Sequence, residues 1–235
     1  MSAVETVDTP APVERRYGFS VLLSGFARMV RAWRPVLVAV VLNTVVQALL
    51  TWPDLTPGLS LWFLLASAVS FAAFLLALAL QVSAALHAVD GPVSLGAAMA
   101  TARERLGWFS LHAVLLLVAV MIGLMLYTVP GLVVIALTPF VLLAAMDGRR
   151  NVVATNFHAM GFRFGRWLLT TVVLAVVLFV FFLLAALNSF FIGGVIASVI
   201  AWLVLGLLSA WLLCAWATVY RSTPAGAQEQ VSSAA

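Results

Sequence analysis

Residues 103–150 read RERLGWFSLHAVLLLVAVMIGLMLYTVPGLVVIALTPFVLLAAMDGRR. Between the two arginine clusters lies an apolar run too long for a single membrane helix, which needs roughly 20 residues at 1.5 Å each. Val129-Pro130-Gly131 stands near its middle, and proline followed by glycine is a turn signal. The stretch reads as a hairpin with spans at about 109–129 and 131–147, leaving and regaining one side of the membrane. Basic flanks are retained on the cytoplasmic side, so that side is the cytoplasm.

The same pattern extends in both directions. All 12 basic side chains are arginine, and each lies in a gap between apolar runs that falls on that one side. Arg15, Arg16, Arg28, Arg31 and Arg34 precede the first run, Arg103 and Arg105 follow the second, Arg149, Arg150, Arg163 and Arg166 follow the fourth, and Arg221 closes the last. The first hairpin has spans at about 35–52 and 59–88, joined through Trp52-Pro53-Asp54-Leu55-Thr56-Pro57-Gly58. The third has spans at about 167–189 and 193–220, with Asn188-Ser189 and Gly193-Gly194 at its turn. Hydrophobic residues make up 65% of the chain and charged residues 9%, and the mean hydropathy is +1.17. So little polar surface cannot cover a soluble globule. The expected class is an all-α polytopic integral membrane protein, six transmembrane helices as three hairpins, with both termini cytoplasmic. Arginine in place of lysine suits a GC-rich bacterial genome, which points to the bacterial cytoplasmic membrane.

An amphipathic interfacial helix is expected before each hairpin, at about 18–33, 94–107 and 151–165. In the first, Phe19, Leu22, Leu23, Phe26, Met29 and Val30 recur at helical spacing while Arg28, Arg31 and Arg34 project elsewhere, the pattern of a helix lying in the interface. Each ends in an arginine-tryptophan corner: Arg28, Arg31 and Trp33; Arg103, Arg105 and Trp108; Arg163, Arg166 and Trp167. Arginine snorkels and tryptophan prefers the headgroup level, so these nine residues are candidate lipid-headgroup contacts. The corners also suggest a threefold internal repeat, although every inward-facing helix start attracts the same residue types. The tails, 1–17 and 223–235, are small and polar and are expected to be disordered. The apolar stretch begins too late for a cleavable signal peptide.

Chemistry inside the spans is sparse. No charged residue falls well within a predicted span, where it would be costly and would mark an ion path; Asp54, Asp90 and Asp147 fall in turns or at helix ends. Asn43, Gln47 and Gln81 are the deepest strong polar groups. They either line a polar cavity or hold helices together by hydrogen bonds, the commoner use of such residues. His87, His112 and His158 lack partners at metal-ligand spacing, and His87 with Asp90 is a possible local pair. Cys214 is the single cysteine, which excludes an internal disulfide. Pro139 removes a backbone hydrogen bond within the fourth span and should kink it. No nucleotide, hydrolase or metalloprotease motif is present, so neither a cofactor nor an enzyme is expected. The net charge of +4 is spread over juxtamembrane segments, which fits anionic lipid rather than nucleic acid.

Pro130-Gly131, Ala145-Met146-Asp147-Gly148 and the run from Asn151-Val152-Val153-Ala154-Thr155-Asn156 to Gly165-Arg166-Trp167 carry a resemblance over roughly residues 95–184. That order resembles the six-helix bacterial membrane family that includes the YciC-like proteins and the membrane domain attached to some glycerophosphodiester phosphodiesterases. The resemblance implies an integral membrane protein and no catalytic residue, because the phosphodiesterase activity belongs to a separate soluble domain. Two functions are open. One is a non-enzymatic accessory or scaffold protein that engages anionic lipid or a partner membrane complex. The other is the membrane subunit of a transporter powered by a separately encoded ATPase, with Asn43, Gln47 and Gln81 along its path.

Overall fold

The structure, a computed structural model, describes residues 19–51, 60–126, 128–192 and 194–223. Those residues are helical and contain no strand. The helices are α1 (Phe19–Arg31), α2 (Trp33–Thr51), α3 (Leu61–Asp90), α4 (Leu95–Leu126), α5 (Thr128–Leu137), α6 (Val141–Met146), α7 (Val152–Phe162), α8 (Phe164–Phe191) and α9 (Gly194–Arg221). Five of them, α2, α3, α4, α8 and α9, are long and apolar enough to cross a membrane. Large apolar side chains face outward over much of the molecule: Trp62 is 74% and Met125 81% exposed. Contiguous apolar surface on this scale needs lipid around it, so the chain is a multi-pass membrane protein.

The fourth predicted span differs from a single kinked helix. It is two short helices, α5 and α6, interrupted at Thr138-Pro139-Phe140. Pro130 does not turn the chain; it lies in the first helical turn of α5, where its missing N–H has no intrahelical partner in any case. Instead α5 packs back on α4 through glycine. A Cβ on Gly123 would stand 2.8 Å from the Cα of Gly131, so the two backbones touch.

The expected interfacial helices meet three different fates. The 94–107 segment is not separate, because no proline lies between Leu95 and Leu126 and α4 continues through Gly107. At 1.5 Å per residue α4 is about 48 Å long, more than the roughly 30 Å hydrocarbon thickness, and its first turns lie level with the arginine-bearing helix ends. The 151–165 segment forms α7, which ends at Arg163; α8 starts at once. The 18–33 segment forms α1 and is docked lengthwise on α9. Trp211 Nε1 donates to the Leu22 carbonyl at 3.0 Å, a Cβ on Gly25 would meet Ala215 at 2.8 Å, and Arg28 donates to Thr218. These pairs rise together along both helices, so α1 runs in the same sense as the last turns of α9. After a break at Ala32, α2 runs back along α9, where Gly206 admits Val40. The three units are thus not equivalent, as a strict repeat would require.

Two cores result. One joins α1, α3, α4, α6, α7, α8 and α9 around Phe109, Phe140, Leu143, Met146 and Tyr220. The other, built on Ala32, Ala39, Ala77, Ala84, Ala88, Ala98 and Ala210, packs α2 against α3, α4 and α9; small side chains let these backbones approach closely. Thr223, expected in a disordered tail, is buried and donates to the Tyr220 carbonyl at 2.6 Å. Residues 1–18 and 224–235, like the expected turn at 52–59, lie outside the described residues.

Candidate functional site at the arginine end of the bundle

The ends of α3, α6 and α9 converge on one carboxylate. Asp147 follows α6, where Gly148 adopts the left-handed φ of 78° that turns the chain, and its side chain is 7% exposed. It receives Arg149 Nε at 3.2 Å, Arg221 Nη2 at 3.0 Å and the Tyr220 hydroxyl at 2.9 Å. Arg221 also reaches Asp90, at the end of α3, at 3.7 Å. Three donors converge on Asp147, so it anchors the helix ends to one another. A cleft of about 280 Å³ opens beside it, lined by His87, Asp90, Thr101, Glu104, Arg105 and Arg221 among others. The guanidinium of Arg105 lies directly over Gly148, in space that a side chain there would fill. No cluster of three or more His, Cys, Asp or Glu able to hold a metal occurs among the described residues.

The expected arginine-tryptophan corners are divided by the fold. Arg31 and Trp33 are exposed, and Arg34 stacks 5.3 Å from the Trp33 ring centre. Arg28 instead turns inward to Thr218; burial, and then the charge of Arg31, hold its guanidinium below the usual arginine range. Arg103 is exposed, whereas Arg105 pairs with Glu104 at 3.5 Å. Trp108 is partly exposed and donates to the Arg149 carbonyl at 3.2 Å. Arg163 reaches the Ser222 carbonyl at 3.4 Å and lies over the Phe162 ring. Arg166 is half-buried, without a side-chain partner among the described residues. Trp167 does not face headgroups: it is 9% exposed and donates from Nε1 to the Ala136 carbonyl at 2.9 Å.

Trp167 belongs to a repair of the broken helix. Interruption at Pro139 frees backbone groups that water would satisfy in a soluble protein and that lipid cannot. Asn156 of α7, fully buried, accepts from the Phe140 N–H at 3.0 Å and donates to the Leu137 carbonyl at 2.7 Å. Trp167 takes the Ala136 carbonyl, and the Thr138 hydroxyl the Val134 carbonyl at 2.6 Å. The break is closed by the protein's own side chains.

The expected polar cavity is present in part. Asn43 and Gln81 line one cavity of about 160 Å³ with Ser209 and Gly206. Gln47 does not line it; it donates to Asn43 Oδ1 at 3.3 Å and exchanges hydrogen bonds with Ser70. Gln81 accepts from the Ser209 hydroxyl at 3.0 Å and donates to the Gly206 carbonyl at 3.4 Å. Each glutamine thus ties one helix to another. The suggested His87–Asp90 pair is absent: His87 Nδ1 lies 2.9 Å from the Ser83 carbonyl, while Asp90 faces Arg221.

Asp90 and Asp147 are recognisable in the sequence as helix-end residues, but no local signal shows that those ends meet. The signals available were the Asp147-Gly148-Arg149 turn, the Tyr220-Arg221 pair closing the last apolar run, and Asn156, the single side-chain amide on α7. No protein-family model, curated protein or solved structure matches the chain.

Proposed function

We propose that the protein is a non-enzymatic membrane scaffold of the bacterial cytoplasmic membrane that engages anionic lipid, or a partner complex, at its arginine end. The observation that carries this reading is the division of labour among the arginines. Arg149 and Arg221 lock three helix ends onto Asp147, which makes a stiff platform. Around it Arg31, Arg103, Arg150 and Arg166 have no hydrogen-bond or ion-pair partner among the described side chains, and cations so placed attract anionic headgroups by about 1 kcal/mol each. In the same reading α5 and α6 together form the sixth crossing. Its support is that α5 begins against the far end of α4 at Gly123, while α6 ends beside Tyr220 and Arg221. Both termini then lie in the cytoplasm. Kinship with the YciC-like family is part of the proposal and rests on the residues quoted above.

The transporter reading finds its support in the cavity between Asn43 and Gln81. Against it, broken helices of transporters turn their freed backbone groups toward the cargo, and here Asn156 and Trp167 occupy them. Neutralising Arg31, Arg103, Arg150 and Arg166 together to glutamine tests the scaffold reading. Retention of phosphatidylglycerol over phosphatidylcholine by the purified protein should fall. Unchanged retention, with unchanged assembly, would sink it. Loss of solute flux on alanine replacement of Asn43, Gln47 and Gln81 would promote the alternative.

A further inference from the structure

The first turns of α4 present two faces with different chemistry. Thr101, Glu104 and Arg105, spaced i, i+3 and i+4, line the charged cleft. Met99, Ala102, Arg103 and Leu106, spaced i, i+3, i+4 and i+7, line a separate groove of about 280 Å³ whose other walls are the Val38–Leu42 face of α2 and the Leu76–Leu80 turn of α3. Apolar side chains form nearly all of this groove, and alanines at 39, 77, 79 and 102 create its depth. Arg103 is its single charged lining residue. No carboxylate borders it, and Arg103 is exposed with no partner among the described residues.

We propose that this groove is a site for one anionic phospholipid, with an acyl chain against the alanines and the phosphate on Arg103. The inference deepens the scaffold reading and rests on it. Val38, Leu42, Leu76 and Met99 are each exposed at the groove, so it opens sideways to lipid rather than inward. An apolar cavity of about 150 Å³ holds a benzene ring; a groove of about 280 Å³ takes a length of methylene chain. The guanidinium fork matches a phosphate by paired hydrogen bonds. Arg34 precedes Val38 and Leu42 by one and two turns on the same face of α2, so it stands toward the same mouth and supplies a second positive charge. Two cations with no acid between them select a lipid of net negative charge over one whose own ammonium offsets its phosphate.

The test compares R103Q with R150Q, a neutralisation of another exposed arginine at the same end but outside the groove. The full chain is extracted with equal parts phosphatidylglycerol and phosphatidylcholine, and the last lipid retained is identified by native mass spectrometry. R103Q should lower the phosphatidylglycerol-to-phosphatidylcholine ratio of that last, groove-held lipid about fivefold, whereas R150Q should lower total phosphatidylglycerol retention through the collar while shifting the ratio of the last lipid by less than about twofold. Phosphatidylglycerol carrying a photoreactive acyl chain should label Met99, Leu106 and Leu42. Equal losses for the two variants, or labelling spread evenly around the bundle, overturn the groove while leaving the arginine collar standing. A wild-type protein without preference for phosphatidylglycerol overturns the groove and the scaffold reading together.

Discussion

Helix α3 lives in two environments. From Ala77 to Ala88 most of its residues are buried, and Ser83 donates to the Ala98 carbonyl at 2.9 Å. From Leu61 to Leu76 not one is buried. The unpacked half, Leu61 to Leu76, is at least as apolar as the packed one, so hydrophobicity does not decide which half is packed. Lipid chains are as apolar as leucine, and burying leucine against leucine in a bilayer gains little. Helices close together where polar groups need partners and where small side chains let backbones approach. The arginine end has both, in the Asp147 cluster, the Asn156 repair and the alanine core. The opposite end has Leu61, Leu64 and Leu65 facing outward.

The contrast is broken most directly at Asp147. Asp147→Asn removes the charge that holds Arg149, Arg221 and Tyr220 together, and uncompensated buried charge costs about 3–5 kcal/mol. Reversible unfolding in mixed micelles should show that loss, together with faster proteolysis near residues 147–151. A change below about 1 kcal/mol would mean that apolar packing alone closes this end, contrary to the lipid argument above.

Asn156→Leu should come next. It strands the Phe140 N–H and the Leu137 carbonyl, and each buried group left without a partner costs about 1–3 kcal/mol. Trp167→Phe strands only the Ala136 carbonyl and should cost about half as much. The Phe140 amide provides a local readout, since its hydrogen exchange should accelerate in Asn156→Leu and stay slow in Trp167→Phe. Acceleration in both would show that the two side chains hold the break as one unit.

These residues also mark how far the sequence could be read. Run length and the arginine gaps located the five long apolar helices, because those signals are local, whereas Pro130-Gly131 misled, since Pro130 lies inside α5. Pro139 announced an interruption, but its repair depends on Asn156, 16 positions from Phe140, and on Trp167, 31 positions from Ala136. Trp167 carries the marks of a headgroup contact, a tryptophan next to arginine at the start of a run. The same indole N–H serves equally to satisfy a buried carbonyl, and only the packing of α8 beside the break selects that role. Asp90 and Asp147 were rightly placed at helix ends, yet their shared partner Arg221 lies at the far end of the chain. Continuity of α4 through Gly107 was hidden for the opposite reason: an arginine-tryptophan corner looks the same whether a helix starts there or runs through it.

Smaller effects sharpen the comparison away from the arginine end. Gln47→Leu removes the ties to Asn43 and Ser70, and membrane hydrogen bonds of this kind average about 0.6 kcal/mol. Phe179, 69% exposed on α8, should tolerate leucine within about 0.5 kcal/mol. Taken with Asp147→Asn, the series should fall by roughly an order of magnitude from the charged cluster to the lipid face, although every substitution except that of Asp147 lies within the helical bundle. A Phe179→Leu loss as large as that of Asn156→Leu would require α8 to have a protein neighbour on that face. Its exposed surface would then be an interface, and the open end of the bundle would be the half of an assembly that a second chain completes.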